Sequence, residues 1–313
     1  MTSQVSDTAV EGDSKKPSTA LARTGAWARR APLLPALIFV ILLTQIPFAV
    51  TLVVSFMDWN GYYPDERGFA GVDNFVSVFT DAGARSAVFV TIILTLTVVL
   101  ISLLLGLGIA LLLDRKFRGQ GIVRTLMITP FLVVPVAAAL LWKHALYNPD
   151  YGLFNGLLKM VFGPDAPQRD WISANPLMSI EAALIWQWTP FMMLILLAGL
   201  QSRPLDVIEA ARIDGANSFQ IFFHMTLPHL RQYIELSGLL GAIYVVQNFD
   251  AVFTITGGAL GTANLPYYIY QTFFTAQDYG RASAAGVVTV IGTIILATFA
   301  LKTAFSLFQE ETR

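Results

Sequence analysis

The amino-acid sequence predicts an all-α, polytopic membrane protein, and three observations carry that prediction. Of 313 residues, 55% are hydrophobic and 13% charged, with a mean hydropathy of +0.61; soluble domains carry about 25% charge and about 45–50% apolar residues. Six windows are apolar over the length a helix needs, about 20 residues at a rise of about 1.5 Å, to cross a hydrocarbon core of about 30 Å. None alternates apolar and polar residues strictly, so these are helices and not barrel strands.

The windows run from Pro32 to Met57, Ala87 to Leu113, Ile122 to Leu141, Met178 to Leu200, Tyr233 to Ile255 and Ser283 to Phe308. Basic residues orient them. Lys15, Lys16, Arg23, Arg29, Arg30, Arg115, Lys116, Arg118, Arg124, Arg203, Arg212, Arg231, Lys302 and Arg313 fall on one side, and Arg67, Arg85, Lys143, Lys159, Arg169 and Arg281 on the other, 14 against 6. The positive-inside rule puts both termini in the cytoplasm. Residues 1–30 read as a disordered cytoplasmic tail, Ser/Thr-rich and without apolar period, and 31–313 as the transmembrane domain. The first span is too long for a signal-peptide core and lacks a clear cleavage site, so it is expected to stay as an anchor.

Composition also excludes. A net charge of −1 gives no electrostatic case for a nucleic-acid partner. No cysteine is present, which removes disulfides, thiolate metal sites and Cys nucleophiles, and three scattered histidines (His144, His224, His229) predict no metal site. No glycine is followed by lysine, so the Walker A phosphate loop is missing, and neither HExxH nor GxSxG occurs. No catalytic residue is assigned, and the chain is not expected to be an enzyme by itself.

Two outer loops carry amphipathic stretches. In GFAGVDNFVSVF, Phe69, Val72, Phe75, Val76 and Phe79 share a helical face; in YGLFNGLLKMVF, Leu153, Leu157 and Val161 do. Both read as short interfacial helices, with plain loop helices covering the bundle ends as the alternative. In the second span, Ser102, Gly106 and Ala110 form a ladder of small residues that lets another helix approach closely.

Polar groups at membrane depth are costly and therefore informative. Gln247, Asn248 and Asp250 fall within the fifth window; an ionised Asp at a helix centre costs about 2.5–3.5 kcal/mol, so Asp250 should face water or a partner, or lie near the outer interface. In the fourth, Trp186, Gln187, Trp188 and Phe191 surround Pro190, which frees backbone groups to line a cavity. Aromatic faces and amides suit sugar C–H faces and hydroxyls, while an aromatic belt at the outer surface is the alternative. Glu181 is expected in the outer headgroup region.

The cytoplasmic loop over about 201–231 reads QSRPLDVIEAARIDGANSFQIFFHMTLPHLR. Ser202 is a candidate N-cap, Pro204 suits the first turn and Asp206 the positive helix end. The helix passes Glu209, Ala210 and Ala211 to Asp214, with Gly215 at the C′ position. Ser218 is read as capping a second helix, Phe219 to Thr226, which Pro228 ends. Such a stiff protrusion fits a groove on another protein, and equally a linker helix on the membrane surface.

The motif decides between them. The stretch resembles the EAA signature of binding-protein-dependent ABC transporter permeases, E-A-A-x3-G-x9-I-x-L-P, matched by Glu209, Ala210, Ala211, Gly215, Leu227 and Pro228, with Met225 in place of the isoleucine. WTPFMMLILLAGLQ, EAARIDGA, WKHALYNPDYGLFNGLL and GG followed by PYYIYQTFF resemble the sugar-permease branch of the maltose, glycerol-3-phosphate and trehalose type, over most of the chain from about Phe69. Arg203, Met225 and Ala259 depart from the branch pattern, and Arg203 bears on which ATPase is accepted.

The resemblance implies a type I ABC importer permease fold in the cytoplasmic (inner) membrane. It implies a second, homologous permease subunit (or a second copy), two ATP-binding cassette subunits that bind ATP and Mg, and an extracytoplasmic substrate-binding protein meeting the loops ending near Trp59, Tyr147 and Tyr267. Glu209, Ala210, Ala211, Asp214, Gly215, Leu227 and Pro228 would couple to the ATPase. Substrate contacts in the branch come from the spans flanking this loop, favouring Gln187, Trp188, Phe191, Gln247 and Asn248, with Asp250 beside them, for a sugar, polyol or oligosaccharide. The chain itself would bind no cofactor and no metal. An ion-coupled secondary transporter, relaying through Asp250, is the alternative.

Overall fold

A computed structural model describes residues 31–310; the tail read over 1–30, and Arg313, lie outside them. The chain divides into two units, residues 1–50 and 51–313. In the first unit, α1 (Leu34–Val54, whose last turn belongs to the second unit) is a helix of 21 residues with Pro47 inside it and no buried residue. Thr44 turns its hydroxyl back onto the Val40 carbonyl at 2.8 Å, hiding a polar group that lipid would not solvate.

The second unit opens on a two-stranded antiparallel ribbon, β1 (Met57–Asp58) and β2 (Gly68–Phe69), in which Met57 opposes Phe69. Phe69 is therefore a strand residue and not part of the predicted helical face. The helix, α2 (Asp73–Thr80), begins four residues later and buries Val78 against Ala284 and Ala285, with Phe75 packed alongside. Val72, Val76 and Phe79 stay exposed on its outer side.

The frame is α3 (Ala82–Leu113) and α8 (Pro176–Gln201), with α11 (Leu227–Val246) against both. Asp81 starts α3 by accepting the Ala84 amide at 2.8 Å. The small-residue ladder does what its spacing predicts. Ser102, Gly106 and Ala110 are all buried, and a Cβ on Gly106 would stand 2.9 Å from the Met193 backbone nitrogen.

Two predicted spans are broken rather than continuous. The third consists of α4 (Gln120–Leu132), two extended residues, and α5 (Pro135–Leu140) running into a π-helical turn, Leu141–Leu146; the halves meet at 95°. Pro135 is the cause: its ring drives Val134 into an extended conformation (φ −56°, ψ 133°) and it offers no amide to continue the ladder. The fifth splits into α11 and α12 (Asp250–Ile255), so Gln247 and Asn248 lie at the gap and Asp250 opens the second half. Here side-chain amides substitute for the lost ladder: Asn248 accepts the Ala251 amide, and the fully buried Asn264 donates to the Asn248 carbonyl. The halves beyond the breaks, α5 with its turn and α12, pack together, and Lys143 Nζ donates to the Thr254 carbonyl at 2.7 Å.

Among the described residues, α1, α3 and α8 are long and apolar enough to cross a membrane, and the bent α4–α5 pair reaches that length and hydropathy only when its two halves are taken together. His229, Arg231, Gln232 and Glu235 make α11 more polar than a lipid-facing helix. Outside the frame lie α6 (Leu153–Phe162), as predicted, α7 (Trp171–Ala174), α13 (Leu265–Tyr270) with a π-helical turn to Thr275, and α14 (Tyr279–Glu310). Asn155 anchors α6, donating to the carbonyls of Pro149 and Arg169 and accepting from the Trp171 indole at 3.1 Å. Leu153, Leu157 and Val161 remain exposed.

Candidate functional site

The loop between α8 and α11 folds as two short helices, as the Pro and Gly punctuation predicts, with different caps. Helix α9 (Leu205–Ile213) starts after Pro204, which holds the extended N-cap position (φ −69°, ψ 110°). Ser202 is instead the C-cap of α8, and its hydroxyl is spent on Gly199, His229 and Tyr233. At the other end Gly215 has φ +90°; its amide bonds the Arg212 carbonyl at 3.1 Å and the Ala216 amide the Ala211 carbonyl at 2.9 Å. This is the Schellman pattern, which needs a left-handed residue at that point. No atom lies within 4 Å of where a Gly215 Cβ would project, so the demand is purely one of backbone conformation.

The second helix, α10 (Ser218–Ile221), is capped by Asn217 and not Ser218. The Asn217 carboxamide accepts the Gln220 amide, and Gln220 answers the Asn217 amide, both at 2.9 Å. Pro228 does not end it. A π-helical turn, Phe222–Thr226, carries the chain straight into α11, where Pro228 sits in the first turn and its missing N–H costs little.

Glu209, Ala210, Asp214 and Gly215 are exposed and Ala211 is half-buried, while Ile208 is buried beneath them. Leu227 and Pro228 lie at the root of α11, Leu227 half-buried and Pro228 exposed. The exposed apolar side chains Leu205, Ile213, Phe219 and Phe223 stand around the same protrusion.

The polar residues assigned to membrane depth separate into two groups. Trp188 and Phe191 join an aromatic cluster built from three elements: Trp188 stacks on Tyr244 of α11 (5.2 Å, 26°), and Phe191 on Phe131 of α4 (5.4 Å, 29°), the pairs meeting edge to face. The Trp188 indole N–H is buried without a hydrogen-bond partner, and Tyr244 is half exposed. Gln187 is buried and donates to the Val133 carbonyl at 3.1 Å, at the break in the third span. Gln247 is exposed and Asn248 and Asp250 are half-buried at the break in the fifth. Glu181 is half-buried in α8.

Phe131 and Tyr244 escaped the sequence reading. A signal for Phe131 exists, because Thr-Pro-Phe occurs twice, at 129–131 and 189–191. Each proline lies inside a helix, each threonine returns its hydroxyl to the carbonyl four residues back (Thr125 at 3.2 Å, Ile185 at 2.6 Å), and the two phenylalanines meet. Tyr147 and Tyr267 are buried at 4% and 8% exposure, the former donating to the Ser179 carbonyl, so neither presents its ring at the loop surface. Among the described residues no group of three or more His, Asp or Glu side chains is placed to hold a metal ion.

The family profile described as "Binding-protein-dependent transport system inner membrane component" matches residues 102–308, which include the breaks, the aromatic cluster and the capped loop. The chain belongs to this family. Several of its relatives are named as permease proteins of sugar transport systems. The chain is 32% identical over 262 residues to the Thermococcus litoralis "Trehalose/maltose transport system permease protein MalF", covering 83% of this chain and 87% of that one. It is 30% identical over 265 residues to the Mycobacterium tuberculosis "Trehalose transport system permease protein SugA", covering 85% and 84%. A crystal structure of a bacterial alginate ABC transporter in complex with an alginate pentasaccharide-bound periplasmic protein contains a chain of the same fold, with TM-score 0.77 and 20% identity over 90% of this permease and 95% of that chain.

Proposed function

We propose that this permease forms half of the translocation path of an ATP-driven importer for a sugar, polyol or oligosaccharide. In this reading it has six spans with cytoplasmic termini and lies in the inner membrane. It pairs with a second permease subunit, sits on two ATPase subunits that bind ATP and Mg, and receives cargo from an extracytoplasmic binding protein. Helix α9 seats in a cleft of the ATPase through Glu209, Ala210, Ala211, Asp214 and Gly215, with Leu227 and Pro228 rooting the loop in α11. Nucleotide-driven closure moves this helix, and the two states differ in free energy through its contacts.

The observation that carries the reading is that one stiff, doubly capped protrusion joins the two helices that hold Trp188 and Tyr244. A movement of α9 therefore reaches the aromatic cluster through continuous backbone. Aromatic faces with an unpartnered indole N–H suit a polyhydroxyl cargo. Gln187, Gln247, Asn248 and Asp250 supply amide and carboxylate groups at the breaks. Relatives named for trehalose and maltose agree with this cargo class.

The chain has no native cysteine, so a single Ala210→Cys is a clean probe. In membranes holding the permease with its neighbouring subunits, cross-linking to the ATPase subunit is expected, together with ATP-dependent uptake of trehalose or maltose into proteoliposomes. Absence of that cross-link across nucleotide states overturns the coupling assignment; uptake that persists without ATPase subunits and collapses with an uncoupler points to ion coupling through Asp250.

A further inference from the structure

Arg203, one of the three departures from the branch pattern, stands between the end of α8 and the start of α9, and its guanidinium reaches three separate elements. Nε donates to the Leu200 carbonyl at 2.8 Å, one terminal nitrogen to Thr226 Oγ1 at 3.0 Å, and the other to Asp114 Oδ2 at 2.5 Å. The Arg203 and Asp114 side chains are 15% and 25% exposed and Thr226 is buried, so this is a partly desolvated, charge-assisted contact.

Asp114 is unusual where it stands. It is the C-cap of α3, where the helix dipole disfavours a carboxylate, and Arg203 is the cation that neutralises it. Thr226 closes the π-helical turn that opens α11. The second polar set at this level, Ser202 with His229 and Tyr233, ties only α8 to α11. Among the described side-chain hydrogen bonds of the loop's root, Arg203 alone reaches the second span, where Leu113 also packs with Leu200 and Leu230.

We infer that Arg203 is a positioning residue that clamps the root of α9 to the ends of α3, α8 and α11, so that a push on α9 moves the second span together with the fourth and fifth. The inference rests on the coupling role proposed for α9. Only a planar fork serves three acceptors in fixed directions; a lysine keeps the charge and loses that geometry.

The test uses the full transporter with nitroxides on Ala210→Cys and Leu112→Cys, compared nucleotide-free and trapped with Mg-ATP and vanadate. In the parent a single distance, unchanged between the states, is expected. In Arg203→Gln and Asp114→Asn a second distance population is expected in the trapped state, and the double variant should match either single one. Arg203→Lys should resemble Arg203→Gln. If Arg203→Gln fails to accumulate, Thr226→Val carries the test with the same expectation. Unchanged distances in the variants, additive effects of the two charge removals, or full restoration by lysine each overturn the inference. An Ala210→Cys that never cross-links to the ATPase defeats the coupling reading whatever Arg203 does. One that cross-links while Arg203→Gln keeps the parent's distances defeats this inference alone.

Discussion

The side-chain amide of Gln187, midway along α8, donates to the carbonyl of Val133 at 3.1 Å and so closes the backbone gap where the third span breaks. A carbonyl left without its helical partner by the extended backbone at the break, and shielded from water, costs about 1–3 kcal/mol if unpaired. Gln187→Leu is therefore expected to lower the thermal unfolding midpoint of the detergent-purified complex as well as to slow uptake. Unchanged unfolding with slowed uptake would assign Gln187 to the cargo alone.

The break itself depends on Pro135. In Pro135→Ala the constraint on Val134 is lifted and an amide donor returns, so α4 and α5 gain access to a straighter path. Membrane insertion should be retained while uptake falls, and maleimide labelling of Val134→Cys should change relative to the parent. Retained uptake and unchanged labelling would show that neighbouring packing alone sets the 95° bend.

The aromatic cluster predicts a graded effect. An aromatic pair contributes about 0.5–1.5 kcal/mol beyond its buried area, so Trp188→Ala and Tyr244→Ala should each weaken half-saturation of trehalose or maltose uptake by about 3–10-fold, with co-purification of the ATPase unchanged. Trp188→Phe keeps the stacking and loses the indole donor, and should fall between. Loss of the complex in the alanine variants would make these rings structural.

Two glycines should respond to substitution for different reasons. Gly215 has open space around it, so Gly215→Ala and Gly215→Val share mainly the cost of a left-handed backbone, about 1–2 kcal/mol, and both should impair coupling while the complex assembles. Gly199 faces the Tyr233 ring, which lies 2.6 Å from where its Cβ would be. There Gly199→Val should separate α8 from α11 and reduce the yield of folded permease, and Gly199→Val with Tyr233→Ala should recover part of it. Fluorescence-detected size-exclusion of both series distinguishes the two mechanisms.

Asn155 predicts a local effect. It is 2% exposed and holds α6 to the chain before and after it. Asn155→Ala should speed proteolytic cleavage between residues 149 and 170, leaving the span frame protected; equal protection of that loop in parent and variant would show that the exposed apolar face of α6, seated elsewhere, holds it.

Much of this was legible in the residues themselves, because the causes are local. Hydropathy located the apolar windows, the 3.6-residue period found α6, and Asp214-Gly215 marked the end of α9. Where local chemistry offers near-equal choices the caps fall elsewhere: Asn217 caps α10 in place of Ser218 because Gln220 lies three residues on to complete a reciprocal cap, and Pro204 holds the N-cap position of α9 while Ser202 turns to Tyr233 and His229, partners 31 and 27 positions away.

The amino-acid sequence by itself determined that this chain lives in a membrane, carries no disulfide, and presents a capped EAA helix between two apolar stretches, since length, polarity and left-handed glycine act within a few residues. Tertiary structure alone decided that the third and fifth stretches break, that Phe131 meets Phe191, and that Arg203 holds Asp114 from 89 positions away. A broken helix survives in lipid only where a neighbour satisfies its freed carbonyls, and which neighbour stands there is a property of the packed bundle.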